Sequence, residues 1–560
     1  MDAPLTGTAT NRRNFLTLMG LGAGAVAGGG LLAGCSEEVG RGSGQAAGVN
    51  ANSGVLPKYK ELGLDLPAAD IKGVPPISDA YSTYPKSLVD AVAEAPGKSG
   101  QRIRAMAPAW GPAPPALAKN SFAQSVNKEL GIDVEFSVQD GLAYADKLNA
   151  MFGARDVPDM VPIPNWEVSK IPRFSQAINT LFEDLTPFLA GDAAAAYPNL
   201  ASLPTSQWQQ CVWDGKLRAI PNPGGASFPW ALFYRKDLFD KAGLAAPTTV
   251  EEFHAVAKRI TDKTKGIWAF GDVFAMIQMY YKVPNGVQQG WRLKPDGTPE
   301  HRLETQEYRQ ALEFTAKMYK EGLVHPTLIS TAGGDMKQLF QSGKIWMMQD
   351  GLGAWQGMQA EQQKITKGFN IQPVQYLSAT GGDPLVWFRD EPISYCFIKK
   401  GLPKERVQEL LRVSNWLSAP FGSKEFELRE YGVEGRHFTR SASGPVKTDL
   451  AFKEGTFGFW ISGRIPVTQP YPDTPDYPRQ VTEFHNKAVP FREKDPWEGL
   501  KVEWPSQFSA NAVPTDDKLN DIVRGRRPLT DLDKVYQEWR NGGGDQAREL
   551  LAKALENKGK

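Results

Sequence analysis

The sequence predicts an α/β protein with more than one hydrophobic core, and three observations carry that expectation. From Ile103 onward, short apolar runs alternate with stretches of helical periodicity, the order in which strands and helices build a layered sheet. The chain has 560 residues, whereas single cores stop growing near ~250–300 residues. Its hydrophobic content of 41% and charged content of 23% are ordinary for a globular protein.

The first residues read as a processing signal and not as part of a core. Arg12 and Arg13 precede Phe15 and Leu16, and the run from Phe15 to Ala33 is apolar, rich in Gly and Ala, and free of charge. A basic start, a short apolar stretch and small residues at its end mark a secretory signal peptide. Paired Arg before Phe-Leu is the twin-arginine (Tat) export pattern. So many glycines make the run a poor transmembrane helix. Leu32-Ala33-Gly34-Cys35 resembles the bacterial lipobox, in which the cysteine is lipidated and becomes the new N-terminus. Acyl chains add about 0.8 kcal/mol per buried CH2, so a multiply acylated Cys35 would hold the protein on a membrane surface. Residues 1–35 are therefore expected to be a signal peptide, and 36–54, rich in Ser, Gly, Ala and Asn, a flexible tether. The expected location is extracytoplasmic, lipid-anchored at the cell membrane.

Tyr59 to Gly100 is rich in Pro, Gly and Asp and reads as irregular. Ile103 to Ala107 reads as a first strand, ending in Pro108-Ala109-Trp110-Gly111. Ser121 to Leu130 reads as a helix, with Phe122, Val126 and Leu130 at four-residue spacing. A second strand over Ile132 to Val138, a helix over Tyr144 to Phe152 and a third strand over Asp159 to Pro164 follow. This alternation predicts a parallel, doubly wound sheet, whose ligands lie outside the C-terminal strand ends. Trp110, Asn165 and Trp166 fall just after two such ends.

Trp213 to Pro221 reads as a hairpin turning at Asp214-Gly215. Ala231 to Tyr234 reads as a strand feeding a helix at Arg235 to Phe239, and Thr248-Thr249 before Glu251 and Glu252 as a helix cap. Glu307 to Glu321 is an amphipathic helix with Tyr308, Leu312, Thr315 and Tyr319 on one face, and Ile345 to Met348 another strand.

A net charge of +1 with no long run of either sign lacks the footprint of a nucleic-acid binder. The five histidines are scattered, without metal-ligand spacing, so no His-based metal site is expected. Cys211 and Cys396, far apart in sequence, fit either one disulfide or two buried thiols. The unusual count is 15 Trp. Most large indoles pack cores, but some are expected to line a cleft, where flat rings stack on the C–H faces of sugars.

Several segments carry a family resemblance. Trp213-Asp214-Gly215-Lys216 through Pro221, Tyr234 to Leu238 with Ala242-Gly243-Leu244 and Pro247-Thr248-Thr249, and Phe340 to Lys344 resemble the extracellular solute-binding proteins of family 1, which serve ABC importers. Tyr431 to Thr439 and Asn541 to Asp545 are similar to the large lipoproteins of aldouronate-type oligosaccharide importers. The resemblance implies a two-lobe, type II periplasmic-binding-protein-like α/β fold with a hinge and an interlobe ligand cleft. It implies one lobe over 103–229 plus 391–440 and another over 230–390 plus 441–560. The implied ligand is an oligosaccharide, the implied partners are ABC permease subunits in the membrane, and the expected state is a monomer. Some relatives carry a calcium loop of alternating Asp and Asn. Here Lys294-Pro295-Asp296-Gly297-Thr298 has one Asp, so neither calcium nor any other cofactor is expected.

A peptide or peptidoglycan fragment would also suit an aromatic cleft, as would the substrate of a secreted glycoside hydrolase. A hydrolase needs two carboxyl groups facing each other ~5–9.5 Å apart; Asp272, Asp350, Asp390 and Glu391 are available, but no local pattern marks a pair. Gly-x-Ser-x-Gly, His-Glu-x-x-His and Walker-type loops are absent from the sequence. The expectation is a binder and not an enzyme. Its cleft is expected to use Trp110, Asn165 and Trp166 from one lobe. The other lobe is expected to contribute Trp268, Asp272, Trp355 in the loop from Gly351, Trp387 and Arg389. Replacing Cys35 with Ala is expected to release a form that fractionates as soluble; unchanged membrane association would contradict the lipobox reading.

Overall fold

The computed structural model describes residues 46–47, 53–224, 228, 230–284, 290–329, 334–388, 391–455, 458–497, 500–502 and 504–558. Cys35, Arg389 and Asp390 lie outside the described residues. The strands that position the site are β1 (Ile103–Ala109), β2 (Val134–Asp140), β3 (Met160–Pro164), β4 (Ala219–Pro223), β5 (Trp230–Arg235), β6 (Trp268–Phe270), β7 (Ile345–Gly351), β8 (Ile371–Val374) and β9 (Pro392–Ile398). They form two sheets, a five-stranded one ordered β2-β1-β3-β9-β4 and a four-stranded one ordered β8-β5-β7-β6.

The first sheet begins as the alternation predicts. β1 pairs parallel with β2 and β3, and the intervening helix spans Ser121–Leu130, burying Phe122, Val126 and Leu130. Asn120 caps it by accepting the Ala123 N–H, and Gly131 ends it at φ 67°. The sheet is not wholly parallel, however. β9 inserts antiparallel between β3 and β4, so one late-arriving strand makes the sheet mixed. The hairpin at 213–217 turns at Asp214 and Gly215, both at positive φ, as a type I′ turn demands.

In the second sheet β6 and β7 run parallel while β5 lies antiparallel to β7 and β8. Thr249 caps the Val250–Ile260 helix through the Glu252 N–H, and the Gln306–Lys320 helix buries Tyr308, Leu312 and Thr315. Each sheet has its own core. Ile103, Ile163, Phe182, Trp213, Phe397 and Leu410 belong to one; Phe233, Phe253, Phe270, Trp291, Trp355 and Trp497 belong to the other. Ala451 and Ile461 pack into the first core, so the chain enters the second for the last time after Ile461, later than the resemblance implies. Cys211 and Cys396 are both buried, with no disulfide between them. Among the described residues no helix is long and apolar enough to cross a membrane.

Residues 57–101 are irregular, as read, yet they bind both cores together. Pro57 bridges Gly191 and Val89 bridges Ser423 on the first side, while Ile77 is buried in the second core. The segment is pinned at its end by Glu409, buried on the Lys404–Leu417 helix. Its carboxylate accepts the N–H groups of Lys98 and Ser99 and the Ser99 hydroxyl, and pairs with Arg406 at 2.6 Å. Burial alone would raise its pKa, but these donors outweigh it and hold the carboxyl at about 2, below 4.5. A depressed carboxylate pKa adds stability above the unfolded value that is lost as pH falls through the folded one. Glu409→Gln should therefore cost about 2–4 kcal/mol at neutral pH, and the difference from the parent should shrink between pH 4.5 and 2. Urea denaturation at several pH values measures this.

Candidate functional site at the C-terminal strand edges

The pairing directions decide where a ligand can sit. β1, β2 and β3 are parallel, so their C-terminal ends share one edge. β9 is antiparallel to β3 and β4 antiparallel to β9, so the chain leaves the first sheet from β4, and re-enters through β9, at that same edge. In the second sheet β5 starts where β7 ends, with Trp230 opposite Gly351, and β8 ends on the same side. Both passages between the sheets thus join one C-terminal edge to the other, and the space between these edges is the cleft.

Three residues that follow strand ends build an aromatic shelf on the first edge. Trp110 comes directly after β1 and is 56% exposed; Trp166 follows β3 and is 38% exposed. Their ring centroids are 6.0 Å apart at 53°. Gly141, directly after β2, lies under the Trp110 indole: a Cβ there would stand 2.3 Å from its Cε2, so only glycine admits this seat. Behind Trp110, at 6.1 Å, is Trp460, which is 3% exposed and packs on Phe459 at 4.5 Å. Asn165 donates from Nδ2 to Glu391 Oε1 at 3.1 Å, tying the end of β3 to the re-entry before β9. Trp230, partly exposed at the start of β5, brings a further ring to the second edge, and its carbonyl accepts the Tyr376 hydroxyl at 2.7 Å.

The residues expected from the second lobe divide. Asp272 follows the C-terminal end of β6, on the cleft edge; its Oδ1 accepts the Phe274 N–H at 3.0 Å and its Oδ2 lies 4.0 Å from Arg524. Trp268 begins β6 and sits at the opposite edge, where its ring meets His325 edge-on at 4.5 Å. Trp355 departs most from expectation. The helix Ala354–Ile365 starts one residue earlier and turns its ring inward, where it is 2% exposed, donates from Nε1 to the Ile371 carbonyl at 3.0 Å and meets Tyr477 at 5.4 Å. Trp387 is buried in a short strand, Val386–Phe388, paired with Arg492–Lys494. Reasoning from sequence missed Gly141, Trp230 and Trp460. A Gly directly after a strand was the available signal for the first; Trp460 had none, because its place depends on chain folding back from far downstream.

A cavity of about 130 Å³ lies elsewhere, under the Ser121–Leu130 helix, lined by Pro114, Leu117, Val126, Phe136, Val138 and Leu417 among others. Its two asparagines are committed to the fold: Asn120 to Ala123 and Pro115, Asn127 to Val134. Glu135, also on its wall, is paired with Arg102 at 3.0 Å. At the expected metal-free turn, Asp296 accepts the N–H and hydroxyl of Thr298.

The family model described as Bacterial extracellular solute-binding protein matches residues 105–393, just over half of the chain. The chain belongs to that family. Among curated relatives, the polygalacturonan/rhamnogalacturonan-binding protein YtcQ of Bacillus subtilis is 22% identical over 76% of this chain and 86% of its own. Lipoprotein LipO of the same organism is 24% identical over 82% of this chain and 93% of its own. Among solved structures, the alginate-binding protein AlgQ2, without calcium ion, superposes with a TM-score of 0.61 at 16% identity, covering 83% of this chain and all of that one. The N-glycan transport solute-binding protein of Streptococcus pneumoniae does so at 0.57 and 14% identity, covering 82% of this chain and 100% of that one. These likenesses establish the two-lobe fold of type II periplasmic solute-binding proteins for this family member.

Burial separates the roles of the tryptophans experimentally. Trp355→Ala should lower stability by about 3–5 kcal/mol, the cost of emptying a core indole site, whereas Trp110→Ala should stay within about 1 kcal/mol of the parent. Denaturant midpoints of the two variants without ligand decide between core and shelf.

Proposed function

We propose that this solute-binding protein captures an oligosaccharide between its two lobes and hands it to the membrane permease of an ABC importer, as a monomer held at the membrane by lipid on Cys35. The observation that carries the reading is the shelf of Trp110 and Trp166, two open indoles side by side at a strand edge where ligands of such sheets bind. Flat apolar rings match the C–H faces of pyranoses, while Asn165 with Glu391, and Asp272 across the cleft, supply oriented polar groups for hydroxyls. Relatives point the same way, being binding or transport proteins for polygalacturonan, alginate or N-glycan. Lipoprotein LipO supports the anchor.

A binder is also favoured over a hydrolase by the engagements of the carboxylates. Asp350 accepts the Gly351 N–H and faces Lys337 at 3.6 Å, Glu391 accepts from Asn165, and Asp272 caps Phe274. Each has a local structural duty.

Binding by hinge closure makes two expectations. Scattering with saturating oligosaccharide should give a smaller radius of gyration than without; identical profiles would contradict closure. Trp110→Ala and Trp166→Ala should each weaken binding about tenfold or more, the value of one buried aromatic face. Fluorescence titration against pectic, alginate and glycan oligosaccharides measures it, and undiminished affinity in both variants would remove the shelf from the site.

A further inference from the structure

Where the chain passes from Ile461 toward the second core, it crosses a group of charges that does not balance. Glu430, at the end of the Lys424–Tyr431 helix, accepts from Arg464 at 2.5 Å and from Arg429 at 3.3 Å. Lys447, on the neighbouring strand Gly444–Lys447, places its Nζ 5.3 Å from the centre of the Tyr431 ring and has no ion-pair partner among the described residues. Of the nearby carboxylates, Glu427 pairs with Arg440 at 2.8 Å, while Glu425 accepts the N–H groups of Ala91 and Val92 and keeps its negative charge close to Arg429. Burial alone would raise the Glu430 pKa, but Arg464, Arg429 and Lys447 hold it at about 2. Burial lowers the pKa of Lys447, with Arg464 adding to that and Glu430 opposing it.

The polar atoms around this group are unsatisfied as well. Arg429 is 5% exposed, and while its Nη1 serves the carbonyls of Leu417 and Ala419, its Nη2 has no partner. Tyr431 is 3% exposed and its hydroxyl has none either. Burial raises the pKa of this phenol and of the Tyr471 phenol, which bonds to Gln469 and is further raised by Glu430 and lowered by Arg464. Unpaired buried donors next to a surplus of positive charge are costly unless an anion completes them.

The location places this group behind the aromatic shelf. The Arg464 guanidinium lies 5.7 Å from the Phe459 ring, Phe459 packs on Trp460, and Trp460 backs Trp110. On the other side Tyr471 meets Tyr477 at 5.7 Å, on the helix that packs against Trp355 in the second core. We propose that Lys447 and Arg464, with the hydroxyls of Tyr431 and Tyr471 beside them, form an oxyanion subsite that takes the carboxylate of an acidic sugar in the bound oligosaccharide. The inference rests on the oligosaccharide reading for the source of the carboxylate, but not for the existence of the subsite. A planar guanidinium and an ammonium are the donors that charge-assisted recognition of a carboxylate uses.

Calorimetry on the full chain at fixed ionic strength, with oligogalacturonides and their carboxyl-reduced, neutral counterparts of equal length, tests it. The parent should bind the acidic chain about tenfold or more tightly than the neutral one, and Lys447→Gln should abolish that ratio while leaving neutral binding unchanged. Arg464→Gln, at a partly exposed position, is the second variant should the first not fold. Equal affinity of the parent for both chains, or an acidic preference that survives in a folded variant, overturns the subsite. A second arm follows melting temperature with galacturonate or sulfate alone. If no oligosaccharide binds but these anions stabilise the parent and not the variant, the subsite stands and the oligosaccharide reading falls. Equal or absent stabilisation of parent and variant in that case overturns both.

Discussion

The insertion of β9 antiparallel between β3 and β4 is the constraint on which the rest of the molecule depends. A parallel βαβ unit can only be left at the C-terminal end of its last strand or re-entered at the opposite edge. By accepting one antiparallel strand, β9, between β3 and a β4 that runs with β1, β2 and β3, the first sheet lets the chain depart through β4 and return through β9 on the edge where β1, β2 and β3 end. The second sheet mirrors this with β5 antiparallel to β7 and β8. Two sheets joined in this way present their C-terminal edges to each other. Residues just after those ends, Trp110, Gly141, Asn165 and Trp166, then lie along the edge that faces the other sheet.

The segment 57–101 adds a second tie between the cores, independent of the passages. It has little regular structure because its backbone groups find partners one bridge at a time, at Gly191, Thr468 and Ser423. Its hold comes from single anchors: Ile77 in the second core and the Glu409 carboxylate in the first. A hinge between two lobes must bend about its passages, and a segment fastened to both sides limits how far they separate.

Much of this was legible in the residues. The Ser121–Leu130 helix, with Phe122, Val126 and Leu130 buried, follows from spacing alone, and the place of Trp110 and Trp166 just beyond strand ends follows from the alternation of strands and helices. What failed did so for identifiable reasons. Periodicity locates a strand without revealing which of its ends faces the cleft, so Trp268, at the wrong end of β6, was grouped with Asp272 at the right one. Gly351-Leu352-Gly353 reads as an open loop, but the helix begins at Ala354, and the hydrogen-bond partner that draws Trp355 inward, Ile371, comes from β8. Trp460 and the charges around Lys447 and Arg464 are assembled by the last return of the chain, which no local pattern announces. The order and spacing of short motifs identified the family where each motif by itself was only a turn or a helix stop.

The central claim is that ligand is held between the two C-terminal edges, on the indoles of the first. The crystal structure of the protein with a bound oligosaccharide tests it most directly. It should show sugar rings stacked on Trp110 and Trp166, with hydroxyls at the Asn165–Glu391 pair and both indoles losing most of their exposure to solvent. Sugar bound away from that edge, in the cavity under the Ser121–Leu130 helix or on an outer face, with Trp110 and Trp166 still open to solvent, would contradict it.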